Sequence, residues 1–217
     1  MKLVNHTPES LTQYVARQVA TFVPDGTEAA MREVIARHID EALERIGHCI
    51  DGVAMWRPGE FNYLHSTQYC QFLYYLANTI WRNERDGQAA TRLFLLNKAL
   101  NAIDLFYEIE MPPVFFIGHS VGIVLAKATY GNYLVLYQNS TVGRHLDRIP
   151  VLGEGVILYP NTAVIGGSVL EDGVVVSQGA SVIDAHAPAR SIVFAGEAGR
   201  LSFRPAPETL LSEYFRL

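Results

Sequence analysis

Three of the seven histidines in this 217-residue chain, His119, His145 and His186, lie in its second half. An imidazole of near-neutral pKa is the side chain best suited to take a proton from a hydroxyl or an amine. His119, close to Gly118 and Gly122, has two readings: a general base, or a residue that satisfies local hydrogen bonds. A base works better with a carboxylate that fixes its tautomer and stabilises its cation. Asp104 and Glu108 are four apart on a predicted helix just ahead of His119, which puts both on one face. Arg148 lies three residues beyond His145, and its guanidinium fork suits an acceptor carboxylate or phosphate. The three histidines lack the paired, close spacing of a zinc site, so no metal is expected. Cys49 and Cys70 form no CxxC pair and read as buried, reduced thiols.

Two kinds of element must position these residues. From Leu152 to Val182 an aliphatic residue returns every six positions: Leu152, Leu158, Val164, Leu170, Val176, Val182. Four residues beyond each of the first five comes a smaller or β-branched one: Val156, Thr162, Ser168, Val174, Ala180. A period of six is neither helical nor that of one long strand. It predicts short strands that turn a corner every six residues, three to a triangular coil, with coils stacked into a parallel β-helix. Val124, Leu136 and Val142 continue the aliphatic position upstream, and Tyr130 interrupts it. Between Val142 and Leu152 the spacing is ten, so four extra residues must leave the coil as a loop at 143–150, which carries His145 and Arg148.

Residues 1 to about 110 read as helical. Thr27 suits an N-cap, and Met31, Ile35, Ile39, Leu43 and Ile46 make one apolar face. A loop with Gly52, Pro58 and Gly59 follows. Ser66 or Thr67 can cap a helix rich in Tyr69, Phe72, Leu73, Leu76 and Ile80, which Arg85-Asp86-Gly87 ends. A last helix is predicted from Gln88 to Tyr107, and Pro112-Pro113 forbids its continuation. These readings divide the chain into a helical domain (1–112), a β-helix (113–200) and an irregular, proline-marked tail (201–217).

A net charge of −5 with no block of Lys or Arg argues against a nucleic-acid partner. The first residues lack a signal-peptide apolar run, and no stretch of eighteen apolar residues occurs, so the expectation is a cytoplasmic protein without membrane contact.

The motifs then suggest a family. His119-Ser-Val-Gly-Ile-Val is followed by Leu136-Tyr-Gln-Asn-Ser-Thr-Val-Gly143, by Asp147-Arg148-Ile149-Pro150 and by Gly153-Glu154-Gly155-Val156. Together with Ala187-Pro188 through Ala195-Gly196, this order resembles the serine acetyltransferases, among the left-handed β-helix acyltransferases of the hexapeptide-repeat type. The resemblance covers residues 117–200 and is looser over the helical half, where Leu64-His65-Ser66 and Ile103 to Glu108 look more like an acetyltransferase-like branch. Two positions depart from the pattern. Gly118 stands where the family has Asp before its catalytic histidine, and Ile149 where it has a second histidine that helps hold serine.

The resemblance implies an α+β fold in which an N-terminal helical domain precedes a left-handed parallel β-helix. It implies an acetyl-CoA-dependent O-acetyltransferase acting on serine or a serine-like hydroxyl, with His119 as the base of a direct attack and Asp104 or Glu108 in support. His65, His145 and Arg148 would meet the acceptor. Gly166, Ser177, Gly179 and Ala180 would line a donor groove between neighbouring β-helices, and Arg200, with Arg190 and Arg204, would meet the CoA phosphates. A homotrimer or a dimer of trimers is expected. The family's docking into cysteine synthase through a C-terminal Ile is not expected of a chain ending Tyr214-Phe215-Arg216-Leu217. A sugar or amino-sugar acceptor is the alternative within the class, a catalytically silent scaffold the alternative outside it. A γ-type carbonic anhydrase is disfavoured by the histidine spacing.

Overall fold

The computed structural model describes residues 1–197 and 200–217. Strand β1 (Lys2–Leu3) leads to helix α1 (Pro8–Phe22). That helix opens on a reciprocal capping box, in which Ser10 N–H donates to the Thr7 hydroxyl and Thr7 N–H to the Ser10 hydroxyl. Helix α2 (Glu28–Gly52) has Thr27 at its N-cap, as expected, although Thr27 makes no side-chain cap bond and is tied to Asp25 instead. Its predicted apolar stripe is buried throughout. Strand β2 (Glu60–Phe61) in the following loop pairs in parallel with β1.

Helix α3 (Ser66–Glu84) is the centre of the helical domain, with every residue from Thr67 to Ile80 buried. Its N-cap is His65, without a side-chain cap bond, so neither Ser66 nor Thr67 caps it. Arg85, left-handed at φ 56°, ends it where the sequence predicts. Helix α4 (Gly87–Asn101) starts on Asp86, which accepts from the N–H groups of Gln88 and Ala89. It stops six residues earlier than the apolar spacing predicts, at left-handed Ala102 (φ 49°). The reason is tertiary pairing: β3 (Asp104–Leu105) leaves the helix to pair with Val124 and Leu125. Asp104 and Glu108 therefore share no helix face.

The β-helix continues through β4 (Phe115–Ile117), β5 (Val124–Leu125), β6 (Thr129–Tyr130), β7 (Leu134–Leu136) and β8 (Thr141–Gly143). Next come β9 (Val151–Leu152), β10 (Ile157–Leu158), β11 (Ala163–Ile165), β12 (Val169–Leu170) and β13 (Val175–Val176). β14 (Ser181–Ile183), β15 (His186–Ala187) and β16 (Ser191–Ala195) complete about five turns. Three parallel sheets form the faces of the prism: a first of β4, β7, β10, β13 and β16, a second of β3, β5, β8, β11 and β14, and a third of β6, β9, β12 and β15. This is the expected α+β class, a helical domain and then a left-handed parallel β-helix.

Register bears out the expelled loop. Ile157 pairs with Val175, eighteen residues on, which is a coil of three hexads. Val135 pairs with Ile157, twenty-two residues on, so the coil between them holds the four-residue excess. All six aliphatic residues from Leu152 to Val182 point inward and are buried, as are Val156, Thr162, Ser168, Val174 and Ala180. Each large side chain removed from water in this way contributes about 1.5–3 kcal/mol before entropy is counted. Tyr130 fills its aliphatic position, its hydroxyl donating to Ala126 O at 2.6 Å.

The end of the chain is not an irregular tail. β17 (Leu201–Pro205) folds back antiparallel on β16, a short 3-10 turn (Leu210–Glu213) follows, and Phe215 bridges to Val53 at the end of α2. The outer side of the first sheet is thereby covered by the protein itself. Proline content suggested an irregular path, whereas the contacts that order it include residues some 160 positions away.

Candidate active site

His119 stands at the corner where the chain passes from β4 to β5, and it is exposed. The segment that delivers it, 106–115, has little sheet pairing of its own, and α3 supplies its hydrogen bonds. Asn78 donates to Tyr107 O (2.8 Å), Tyr74 to Ile109 O (2.6 Å), Tyr75 to Pro113 O (3.1 Å) and Gln71 to Phe115 O (2.8 Å). Tyr74 also accepts from Met111 N–H at 3.0 Å. A buried backbone group left unpaired costs about 1–3 kcal/mol, so these polar side chains on a buried helix fix the path of the connector. Gly52 closes the clamp from α2: a Cβ there would lie 2.7 Å from Val114 Cγ1.

The corner itself is shaped by two glycines. Gly122 turns the chain with φ +73°, and a Cβ on it would fall 2.0 Å from Asn139 Oδ1. Gly118 needs no unusual φ but lies under the Tyr137 ring, which a Cβ would approach to 2.6 Å. The aspartate of the serine acetyltransferase pattern has no room here, which accounts for that departure.

Neither carboxylate proposed to support His119 hydrogen-bonds to it. Asp104 accepts from Lys98 at 2.6 Å, and Glu108 is paired with Lys127. Asp104 does sit in the strand beside β5, and its N–H donates to Ile123 O, four residues past His119. His65 packs edge-on to Trp56 (5.8 Å between ring centres), and partial burial lowers its pKa.

His145 and Arg148 occupy a different corner, between β8 and β9. Their backbones exchange two 3.1 Å hydrogen bonds, so the expelled loop is a tight turn. Asp184, two coils on, accepts from Arg148 at 2.7 Å and from Gly167 N–H at 2.8 Å, with His145 at 3.4 Å. The Gly167 N–H first, then the two side chains, holds the Asp184 carboxyl below its usual range. Within one protomer His119 and this loop do not converge.

The residues predicted for the donor divide in the same way. Ser177 and Gly179 share the corner column of His119, and Gly179 (φ +75°) has open space where a side chain would be. Three coil rises of about 4.8 Å separate them from His119, roughly 14 Å. Gly166 belongs to the loop corner, packed under Asp184. Ala180 is buried inside the coil, so its methyl is core and only its backbone can face a donor. Arg200 lies exposed at the β16–β17 turn, its carbonyl accepting from Gly196 N–H. A cavity of about 390 Å³, lined by Glu154, Asp172, Arg190 and Leu211 among others, opens at the third corner, away from His119.

No group of three or more His, Cys, Asp or Glu fit to hold a metal occurs among the described residues. No described helix is long and apolar enough to cross a membrane.

The hexad prism joined to a four-helix domain places the chain in the hexapeptide-repeat β-helix architecture. Solved structures that share this combination include serine acetyltransferases. The chain is similar to serine acetyltransferase from Vibrio cholerae O1 biovar El Tor, at 20% identity and TM-score 0.71, over 93% of this chain and 81% of that one. It is similar to soybean serine acetyltransferase complexed with serine, at 18% identity and TM-score 0.69, over 91% and 85%. A serine acetyltransferase in complex with CoA matches at 16% identity and TM-score 0.70, over 91% and 86%. No protein-family model and no curated sequence matches the chain. At these identities the likeness establishes a shared fold across both halves of the molecule.

Proposed function

We propose that the protein is an acetyl-CoA-dependent O-acetyltransferase acting on a small hydroxyl acceptor. The observation that carries this reading is the position of His119: exposed, at the first corner of the coil, at the head of the corner column that runs to Ser177 and Gly179, in the fold of enzymes one of which is solved with CoA and another with serine. Acetyl-CoA would supply an acetyl group activated as a thioester. His119 takes the proton of the acceptor hydroxyl as its oxygen attacks the carbonyl, and returns it to the departing sulfur. Ser177 and Gly179 hold the donor arm along the column, and the reaction is driven by positioning. Both cysteines are fully buried, and burial raises their thiols to about 11 and about 12, which suits direct transfer without a cysteinyl intermediate.

A site completed by a second copy explains why His119 and the Arg148 loop stand at different corners. Val121, Val124, Leu146, Ile149, Val151, Val169 and Ile183 are all exposed on the second and third faces or at their corners. Burial of that surface between copies, in a trimer or a dimer of trimers, removes it from water. Arg148 of one copy then faces the acceptor bound at His119 of the next. Ile149, where the serine pattern has a second histidine, weakens the case for free serine over a serine-like hydroxyl, and a sugar hydroxyl or amine is the second reading.

The test is release of free CoA thiol from acetyl-CoA with serine, homologous amino acids and amino sugars as acceptors. Acceptor-dependent release, with no acetylated protein by mass spectrometry, is expected. No release with any acceptor favours a silent scaffold, and an acetyl-enzyme would refute direct transfer.

A further inference from the structure

We propose that the end of the chain, Tyr214 to Arg216, is a strap that positions His119 through Tyr137. Helix α2 ends with carbonyls that have no partner within the helix. Arg216 takes up two of them, its N–H donating to Gly52 O (2.8 Å) and Nη1 to Asp51 O (3.0 Å), and it reaches the turn beyond the helix, with Nη1 donating to Val53 O (2.6 Å) and Nη2 to Trp56 O (2.6 Å) and Ala54 O (3.0 Å). A cation at a helix C-terminus also meets the negative end of its dipole. Ala54 N–H donates to Tyr214 O at 2.8 Å, which fixes the residue two positions earlier. Tyr214 is thus held against the first sheet, buried beside Phe116.

From Tyr214 the contact passes to the corner of His119. Its hydroxyl lies 3.3 Å from that of Tyr137 and 3.4 Å from that of Tyr159. Tyr137 stacks on Tyr159 with ring centres 5.6 Å apart and planes 29° apart. The other side of the Tyr137 ring rests on Gly118, the residue before His119. Gly118 has no side chain with which to anchor the corner, and the aromatic ring does so in its place. Tyr137 and Tyr214 are positioning residues, since the structure shows neither in contact with His119 itself.

The activity arm of the test rests on the function proposed above, and the spectroscopic arm does not. Arg216→Ala and Tyr137→Ala are compared with wild type and with Tyr137→Phe, which keeps the ring. The readouts are kcat and KM for acetyl transfer and the NMR resonance and titration of the His119 ring. Arg216→Ala, an exposed change, is expected to shift the His119 resonance and lower kcat about tenfold with KM for acetyl-CoA within twofold. Tyr137→Ala is expected to do more, and Tyr137→Phe, which cuts the hydroxyl contact to Tyr214 but keeps the ring on Gly118, to resemble Arg216→Ala. A folded Arg216→Ala protein with the His119 resonance unmoved overturns the strap, as does Tyr137→Phe behaving like Tyr137→Ala. If wild type releases no CoA at all, the functional reading fails while the resonance still decides the strap.

Discussion

Replacing Tyr74 by Phe removes one oxygen and almost no volume, and it tests how the helical domain sets the corner of His119. The Tyr74 hydroxyl donates to Ile109 O and accepts from Met111 N–H. Both backbone groups belong to buried residues, and burial raises the phenol to about 12, so it remains a donor at any working pH. Phe leaves both groups unpaired, at about 1–3 kcal/mol each, for a total of about 2–6 kcal/mol. At about 2–4 °C per kcal/mol for a chain of this size, the melting temperature should fall by roughly 4–24 °C. Urea unfolding followed by circular dichroism gives the same quantity independently. Because the connector leads directly into β4, kcat should fall as well. A stability loss below about 0.5 kcal/mol would refute the claim that these bonds fix the connector.

Three further outcomes follow from the same contacts. Arg37 first, and then His38, hold Glu84 at about 2 instead of its ordinary 4.5; the folded value lies below the unfolded one, so this contribution is present above pH 4.5 and is lost as pH falls towards 2. Glu84→Gln should flatten that stretch of the stability–pH curve, and an unaltered slope in urea midpoints would contradict the assignment. Gly122→Ala should cost about 1–3 kcal/mol in thermal melts and reduce turnover, because it strains the corner of His119. Leu158→Ala, inside the coil, should cost about 2–5 kcal/mol in urea unfolding, with wild-type stability counting against the inward assignment.

The β-helix was legible because its order is local. One residue in six must point inward whatever lies outside, so Leu152 to Val182 declare themselves, and so does the excess at 143–150. What escaped is long-range. The apolar spacing through Ile103 and Phe106 continued α4 on paper, but pairing of β3 with β5 outweighs helical propensity there. Arg216 carries no local signal, since its partners are carbonyls at and just beyond the end of α2. The Thr7–Ser10 capping box was readable and was missed. In the site, the sequence singled out His119 and the loop of Arg148, yet only the fold places them at different corners. It also gives a reason for Gly118, which follows from the ring of Tyr137 and not from any neighbour in sequence.

The account turns on His119 as the base at the first corner. The most direct measurement compares kcat for acetyl transfer by wild type and by His119→Asn, with CoA affinity measured calorimetrically on both. A fall of about 10²–10⁴ in kcat with CoA affinity unchanged within twofold is the predicted result. A folded His119→Asn protein that turns over within threefold of wild type would contradict it.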